Sequence, residues 1–377
     1  MSGIYIHIPY CKQACHYCDF HFSTTQKNKQ ELLQALAQEL QLRKSNWQAE
    51  PVETIYFGGG TPSVLSVAEL KELIDAVYQN FQVVNQPEIT LEANPDDLTP
   101  DYLLALSTSK INRLSIGIQS FFDADLQLMN RAHNAQQAKE SLALATTYFD
   151  SISIDLIYGM PNMSSERWLH NIETALSFGI NHLSCYALTV EPKTALHQFI
   201  QNKQIAPLDD SLAEEHFTLL VEQLEAQGFV HYELSNFGKP NYFSQNNSSY
   251  WLGKNYLGIG PSAHSFDGQS RSWNVSNNSK YIKAIRAQEL PLETELLSRT
   301  DRYNEYIMTG LRTIWGVSLD RVASEFGASY LQYLEKQMAD FLHRDLLKIE
   351  DGVLTTTAQG KFLGDGIAAE LFLLNED

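Results

Sequence analysis

Short β-rich runs alternate with stretches of helical periodicity through the first half of the chain. Strands are predicted over residues 4–8, 52–57, 88–92, 113–118, 151–157 and 182–187, and helices over 29–44, 67–79, 100–107, 135–148 and 166–177. Two helix starts carry their own signals. Ser66 with Glu69 three residues later forms a capping box, and Thr99 before Pro100 offers an N-cap with proline at the first helical position. Six strands separated by helices predict an α/β fold with a parallel sheet and right-handed crossovers, closed or partly closed into a barrel. In such folds the chemistry sits in the loops that follow the strands.

The unusual residues fall in those loops. Cys11-Lys12-Gln13-Ala14-Cys15-His16-Tyr17-Cys18 follows the first strand and Gly58-Gly59-Gly60-Thr61-Pro62 the second. Ala93-Asn94-Pro95, Gln119-Ser120-Phe121, Gly159-Met160-Pro161 and Glu191-Pro192 follow the others. Near residue 200 the rhythm changes: a helix is predicted over 212–227, then an aromatic, Asn- and Ser-rich region over 232–276. Beyond Leu296 come two helices and two apolar runs joined by Asp351-Gly352, a hairpin signal, so this end reads as a winged-helix-like α+β unit. The expected units are 1–200, a partial barrel; 201–295, a bridging segment that completes the site; and 296–377, the C-terminal unit.

Composition narrows the function. The 377 residues, 44% hydrophobic and 19% charged, supply ample core for two or three domains. No apolar run has the length of a membrane span, and the residues from Met1 to Ile8 have neither a basic region nor a long apolar segment, so the expected location is cytoplasmic. The net charge of −18 disfavours nucleic acid, and residues 298–377, with 8 basic and 13 acidic side chains, disfavour it for the winged-helix-like end too. A few cations still suffice for a small anionic ligand.

Three of the four cysteines, Cys11, Cys15 and Cys18, lie within eight residues, and Cys185 is far away in an apolar strand. Thiolates at C-x3-C-x2-C spacing on one irregular loop can converge on a single metal centre; the plain alternative is three unligated cytosolic thiols. A four-iron cluster held by three cysteines keeps one iron open to a ligand with amine and carboxylate donors. The competing site is Cys3His zinc, completed by His16 or His21. Cys185 reads as a small buried hydrophobe.

The cysteine spacing followed by the glycine run, in this order on strand ends, resembles the radical S-adenosylmethionine (SAM) superfamily. More specifically, Tyr5-Ile6-His7-Ile8-Pro9-Tyr10-Cys11, Gly58 to Pro62, Leu91 to Pro95, Ser115 to Phe121, Asp155 to Gly159, Tyr232 to Phe237 and Tyr256 to Gly260 resemble the oxygen-independent coproporphyrinogen III oxidase-like family of porphyrin biosynthesis. The resemblance implies a partial (β/α)6 TIM-like radical SAM barrel. It implies a [4Fe-4S] cluster on Cys11, Cys15 and Cys18, with SAM cleaved by one electron to methionine and a 5′-deoxyadenosyl radical. It places Tyr5, Tyr17, Gly59, Gly60, Thr61, Glu92, Gln119, Arg131 and Asp155 at SAM-contacting positions, Tyr17 as a lid over cluster or adenine.

Within the family, coproporphyrinogen dehydrogenases resemble C-x3-C-x2-C-x-C and carry a segment before the cluster. Here Phe20 fills the place of the last cysteine and only ten residues precede Cys11. Both features resemble the HemW-type haem chaperones, which implies haem as ligand or cargo, haem-acceptor proteins such as respiratory enzymes and an electron donor. The chaperones' H-N-x-x-Y-W motif is matched by Asn246-Asn247-Ser248-Ser249-Tyr250-Trp251, with asparagine, a poor iron ligand, in place of histidine. Asn247, Tyr250 and Trp251 remain, and His264 and His231 are the candidate axial ligands. The other readings are a coproporphyrinogen dehydrogenase and a radical SAM enzyme acting on a non-porphyrin substrate.

Overall fold

The structure is a computed structural model that describes residues 2–46 and 50–374. Six parallel strands, β1 (Ser2–Ile8), β2 (Val52–Gly59), β3 (Val83–Ala93), β4 (Arg113–Gln119), β5 (Ile152–Tyr158) and β6 (His182–Ala187), pair in chain order. The helices between them are α1 (Lys29–Arg43), α2 (Val67–Asn80), α3 (Pro100–Ser107), α4 (Asp123–Leu128), α5 (Ala135–Ala145) and α6 (Ser165–Ser177). The Ser66–Glu69 capping box forms, and Thr99 caps α3 ahead of Pro100, as their residue types dictate. Helix α5 stops three residues short of expectation, where the Thr146 and Thr147 hydroxyls turn back onto the carbonyls of Ala143 and Leu144.

Further elements extend this sheet on both sides. After α7 (Ala195–Gln201) and α8 (Asp210–Ala226), β7 (Val230–Glu233) and β8 (Asn236–Gly238) form an antiparallel pair beside β6. Then come α9 (Gln245–Trp251), β9 (Tyr256–Ile259), β10 (His264–Phe266), β11 (Ser270–Asn274), α10 (Asn278–Arg286) and β12 (Leu292–Leu296). β9 runs parallel to β1, giving the order β12-β11-β10-β9-β1-β2-β3-β4-β5-β6-β8-β7. Among the described residues the edge strands β12 and β7 do not pair with each other, so the barrel is partial.

Strand alternation sorts the side chains. Ile4, Ile6, Ile8, Ile55, Phe57, Leu114, Ile116, Ile154 and Leu183 point outward and share one core with Leu36 of α1 and Trp168 of α6. The C-terminal unit has its own core, built on Tyr303 and Ile307 of α11 (Arg299–Leu311) with Leu334 and Phe341 of a later helix, Ala328–His343. Its β13 (Val317–Ser318) joins the expected hairpin of β14 (Leu347–Glu350) and β15 (Val353–Thr356) as a third strand. The hairpin turns on Asp351 and Gly352, with φ of 50° and 75°, the two positive values a tight two-residue turn needs.

One buried charge ties the bridging segment to the barrel. Glu39 of α1 accepts hydrogen bonds from Gly260 N (2.8 Å), Tyr281 OH (2.6 Å) and Asn274 Nδ2 (2.8 Å), with Arg43 3.6 Å away. Removing the carboxylate leaves the Arg43 cation buried without its counter-ion. Glu39→Ala is therefore expected to lower unfolding stability by about 3 kcal/mol in urea denaturation. A loss below about 1 kcal/mol would show that the network is not what holds the segment.

Candidate functional site

The chain between Cys11 and His21 has no regular structure and is tied down from several sides. Its base is closed by Cys11 N donating to Ser23 O (3.1 Å) and Ser23 N to Pro9 O (2.9 Å). The turn after α4 clamps its middle. Met129 O accepts from His16 N at 3.1 Å, Asn130 O accepts from Gln13 Nε2 at 3.0 Å, and Asn130 Nδ2 donates to Ala14 O at 2.7 Å. Lys12 reaches across to Asp96 (2.9 Å) and Asp97. The thiols of Cys11, Cys15 and Cys18 are free and half-buried on this frame. Burial beside the other thiols pushes Cys18 up to about 11 and raises Cys11.

Arg131 is the cation of the site. Its Nη2 donates to Gly117 O and Asn94 Oδ1, both at 2.8 Å, and Nη1 lies 3.4 Å from both Cys15 Sγ and Tyr17 OH. It therefore fastens the cysteine loop to the ends of β3 and β4. Its Nε is buried without a partner. Gly59 and Gly60 are glycine for steric reasons. Gly59 has φ +107° and a Cβ there would sit 2.4 Å from the His7 ring; a Cβ on Gly60 would meet Tyr10 O at 2.7 Å. Gly60 N and Thr61 N donate to Ile8 O (2.9 Å) and Tyr10 O (2.7 Å), which presses the glycine turn against the residues leading into the cysteine loop.

Inside the barrel, Glu92 accepts from Tyr56 OH (2.8 Å) and Gly59 N (3.2 Å). Burial pushes its carboxyl up to about 7, and the Asp155 carboxyl up to about 6. Asp155 sits in mid-strand on β5 rather than at a helix cap. Gln119 ends β4 with a φ of +66°, in the left-handed region. Tyr5 packs beside Tyr56 with ring centroids 6.1 Å apart, and its hydroxyl lies 3.1 Å from His7 Nδ1. Tyr5, Glu92 and Asp155 share a cavity of about 260 Å³ within the lumen.

Each of the two histidines that would complete a zinc site has one ring nitrogen engaged. His16 Nδ1 meets Leu128 O at 2.8 Å, and His21 Nε2 meets Asn278 Oδ1 at 2.8 Å. Among the described residues no three His, Cys, Asp or Glu side chains gather as a single ion requires. A four-iron cluster asks for a wider arrangement, because each thiolate binds a different iron.

The haem candidates are scattered. Asn247 and Tyr250 line the lumen cavity from α9, which plugs the end opposite the cysteine loop, roughly 20 Å away along β1. Asn246 is buried there, accepting from Thr54 Oγ1 at 2.9 Å, while Glu88 accepts the first backbone N–H groups of α9. Trp251 faces the C-terminal unit under Arg312, 5.5 Å from its ring. His231 lies elsewhere, in a second cavity beside that unit, and both ring nitrogens are engaged: Nε2 with Leu234 O (3.1 Å) and Nδ1 with Lys361 Nζ (3.2 Å). Burial, with the Lys361 charge, pushes it down to about 3. His264 is exposed on β10 and stacks on Trp273. Cys185 is buried in β6, 2% exposed.

Tyr56, Arg113 and the 128–130 turn escaped sequence reasoning, whereas the loop that holds Asn94 did not. The alternating polar positions of β4, Arg113 and Ser115 between Leu114 and Ile116, are the one signal that marks any of them.

The radical SAM superfamily profile matches residues 5–175, and the HemN C-terminal domain profile matches residues 297–363. The heme chaperone HemW of Bacillus subtilis is 34% identical over 371 residues, covering 97% of this chain and 98% of that one. The heme chaperone HemW of Mycobacterium tuberculosis is 32% identical, covering 98% and 94%. Among solved structures, coproporphyrinogen III oxidase (HemN) from Escherichia coli has the same fold, with a TM-score of 0.85 at 23% identity over 98% of this chain and 89% of that one.

Glu92 and Asp155 both titrate higher in the folded chain than in the unfolded one. The stability they contribute is complete below about pH 4 and is lost as pH rises through 6 and 7. For the cluster-free chain the urea midpoint is expected to fall between pH 5 and pH 8, and less steeply in Glu92→Gln. Parallel profiles for the two proteins would contradict the assignment.

Proposed function

The chain belongs to the HemW-type haem-chaperone family of the radical SAM superfamily, and on that premise we propose that it binds haem and hands it to acceptor proteins such as respiratory enzymes. Position 20 carries the reading. The dehydrogenase pattern has a further cysteine there, and this chain has Phe20, 68% exposed beside Cys18. No helix among the described residues is long and apolar enough to cross a membrane. The four free cysteines support a reducing compartment, the cytoplasm.

Superfamily membership implies a [4Fe-4S] cluster and SAM, and the donor set fits them: three free thiols on one irregular loop beside a buried guanidinium with an unpartnered Nε. Cys11, Cys15 and Cys18 hold the cluster as thiolates, and Arg131 offsets their negative charge. When bound, the cluster and SAM supply one-electron chemistry. Arg131 would pair with the SAM carboxylate, and Gly59, Gly60 and Thr61 would let the backbone come close. Glu92 would accept from ribose hydroxyls, its carboxylate aimed by Tyr56 and Gly59. Tyr5, Gln119 and Asp155 line the same mouth, and Tyr17 covers it. An electron donor completes the set of partners.

For haem, His264 is the axial ligand we assign. Its ring is exposed, whereas both His231 nitrogens are occupied and Asn246 is a buried plug residue. Asn247, Tyr250 and Trp251 then support the fold of α9 rather than ligate iron.

Haemin titration of the anaerobically reconstituted chain is expected to give a saturable Soret shift, weakened about tenfold or more in His264→Ala. Coproporphyrinogen III, SAM and a reductant are expected to yield no vinyl groups. Vinyl formation would establish the dehydrogenase instead, and an unchanged titration in His264→Ala would remove the ligand assignment.

A further inference from the structure

In a packed parallel barrel the inward positions carry branched apolar side chains in layers. Here β4, β5 and β6 turn Arg113 and Ser115, Ser153 and Asp155, His182 and Ser184 into the lumen. Burying such groups is unfavourable unless each finds a partner. Several do. Ser153 Oγ lies 2.6 Å from His182 Nδ1, His182 Nε2 lies 2.7 Å from Tyr232 OH, and Ser184 Oγ donates to Asn236 Oδ1 at 2.7 Å.

Arg113 is different. It is 3% exposed, and its guanidinium makes one hydrogen bond, from Nη1 to Ser151 Oγ at 3.1 Å. Among the described residues no carboxylate stands within ion-pair distance of it; Asp155, on the same cavity wall, feels its charge without forming an ion pair. A guanidinium stays charged at any pH a protein survives, and it presents five donors in a planar fork. Buried without a counter-ion it is among the costliest groups a fold can retain. It lines the cavity of about 260 Å³, and the adjacent Ser115 hydroxyl has no protein partner among the described residues either.

Charge and shape define what fits. Arg113 is the one cation on the wall of this cavity among the described residues, because His182 has both nitrogens occupied and burial holds it neutral. Asp155 and Glu92 line the same cavity, so a dianion such as phosphate meets carboxylates of its own sign. A planar monoanion matches both the single positive charge and the fork. Helix α9 covers the end of the lumen beside Gly3 and Thr54, which leaves the strand-end mouth as the entrance.

We propose that the lumen is a carboxylate-binding site, in which a small monocarboxylate, or a carboxylate arm of a larger ligand, seats bidentate on Arg113 with the Ser115 hydroxyl beside it. The site stands on the lumen's own side chains and requires neither the cluster nor the haem reading. It gives the lumen a reason to be polar: the guanidinium donors of Arg113 that no protein group accepts from are taken up by ligand.

The test is calorimetric titration of the full-length, cluster-free chain with sodium propionate, with inorganic phosphate as the counter-probe. One-site propionate binding in the millimolar range or tighter is expected, with phosphate weaker by about tenfold or more. Arg113→Gln is expected to weaken propionate by about tenfold or more, and Arg113→Lys, which keeps the charge and loses the fork, by less. No propionate binding to the wild type, equal binding of phosphate, or wild-type affinity in Arg113→Gln overturns the proposal. Should Arg113→Gln fail to fold by circular dichroism, Arg113→Lys and Ser115→Ala decide, and unchanged affinity in both overturns it. Competition identifies the source of the carboxylate. Displacement of labelled propionate by haemin but not by its dimethyl ester assigns a tetrapyrrole arm, displacement by SAM assigns the SAM carboxylate, and displacement by none of these assigns a free acid.

Discussion

The period-two alternation of the parallel strands governs this molecule. Through the middle of β1 to β6 every second residue, such as Ile4, Ile6, Ile55, Phe57, Ile89, Leu91, Leu114, Ile116, Ile154 and Leu183, is apolar and buried against the helices, so the residues between them face the lumen. A one-residue slip in any strand would turn isoleucines inward and charges into the core, so the register of the polar lumen is fixed by the apolar core outside it. The outer face supplies the stability and leaves the inner face free for chemistry. Tyr5, Tyr56, Glu92, Ser115 and Asp155 all owe their positions to that division.

At the mouth, the arrangement depends on one guanidinium. Arg131 reads a strand carbonyl at Gly117 and a loop amide at Asn94, and the same group touches Cys15 and Tyr17. The cysteine loop has little hydrogen-bonded structure of its own, a turn in which Cys18 N donates to Cys15 O at 3.4 Å, and borrows the rest of its shape from the turn after α4, from Ser23 and from the Lys12 ion pairs. Such a loop can present three thiols to one cluster because no helix or strand dictates their directions. The opposite end is handled differently: α9 closes it, with Glu88 at its positive terminus and Asn246 inside. Substitution of histidine by asparagine in the Asn246 to Trp251 segment is thus a change at the plug, distant from the cysteines.

Much of this was legible in the sequence because it is local. The six strands, the Ser66 box, the Asp351-Gly352 turn and the separation of Cys185 from its three relatives depend on residues close in the chain. The clamp on the cysteine loop was not, because Asn130 and Arg131 reach it across more than a hundred residues, and Asn130 takes a positive φ that no glycine announces. The plug helix was missed for a similar reason: α9 is short and polar, and it is stabilised by Glu88 from a distant strand. Arg113 stood in plain sight within a predicted strand, but only the pairing of β4 with β3 and β5 shows which way it faces.

Cys11, Cys15 and Cys18, framed by Arg131, are proposed to hold one four-iron cluster with an open position. Mössbauer and electron paramagnetic resonance spectra of the chain after anaerobic reconstitution with iron and sulfide test it directly. About four irons per chain and a cluster signal that changes when SAM is added are expected, both lost when the three cysteines are replaced by alanine. A single tightly held metal ion per chain, or a cluster signal indifferent to SAM, would contradict it.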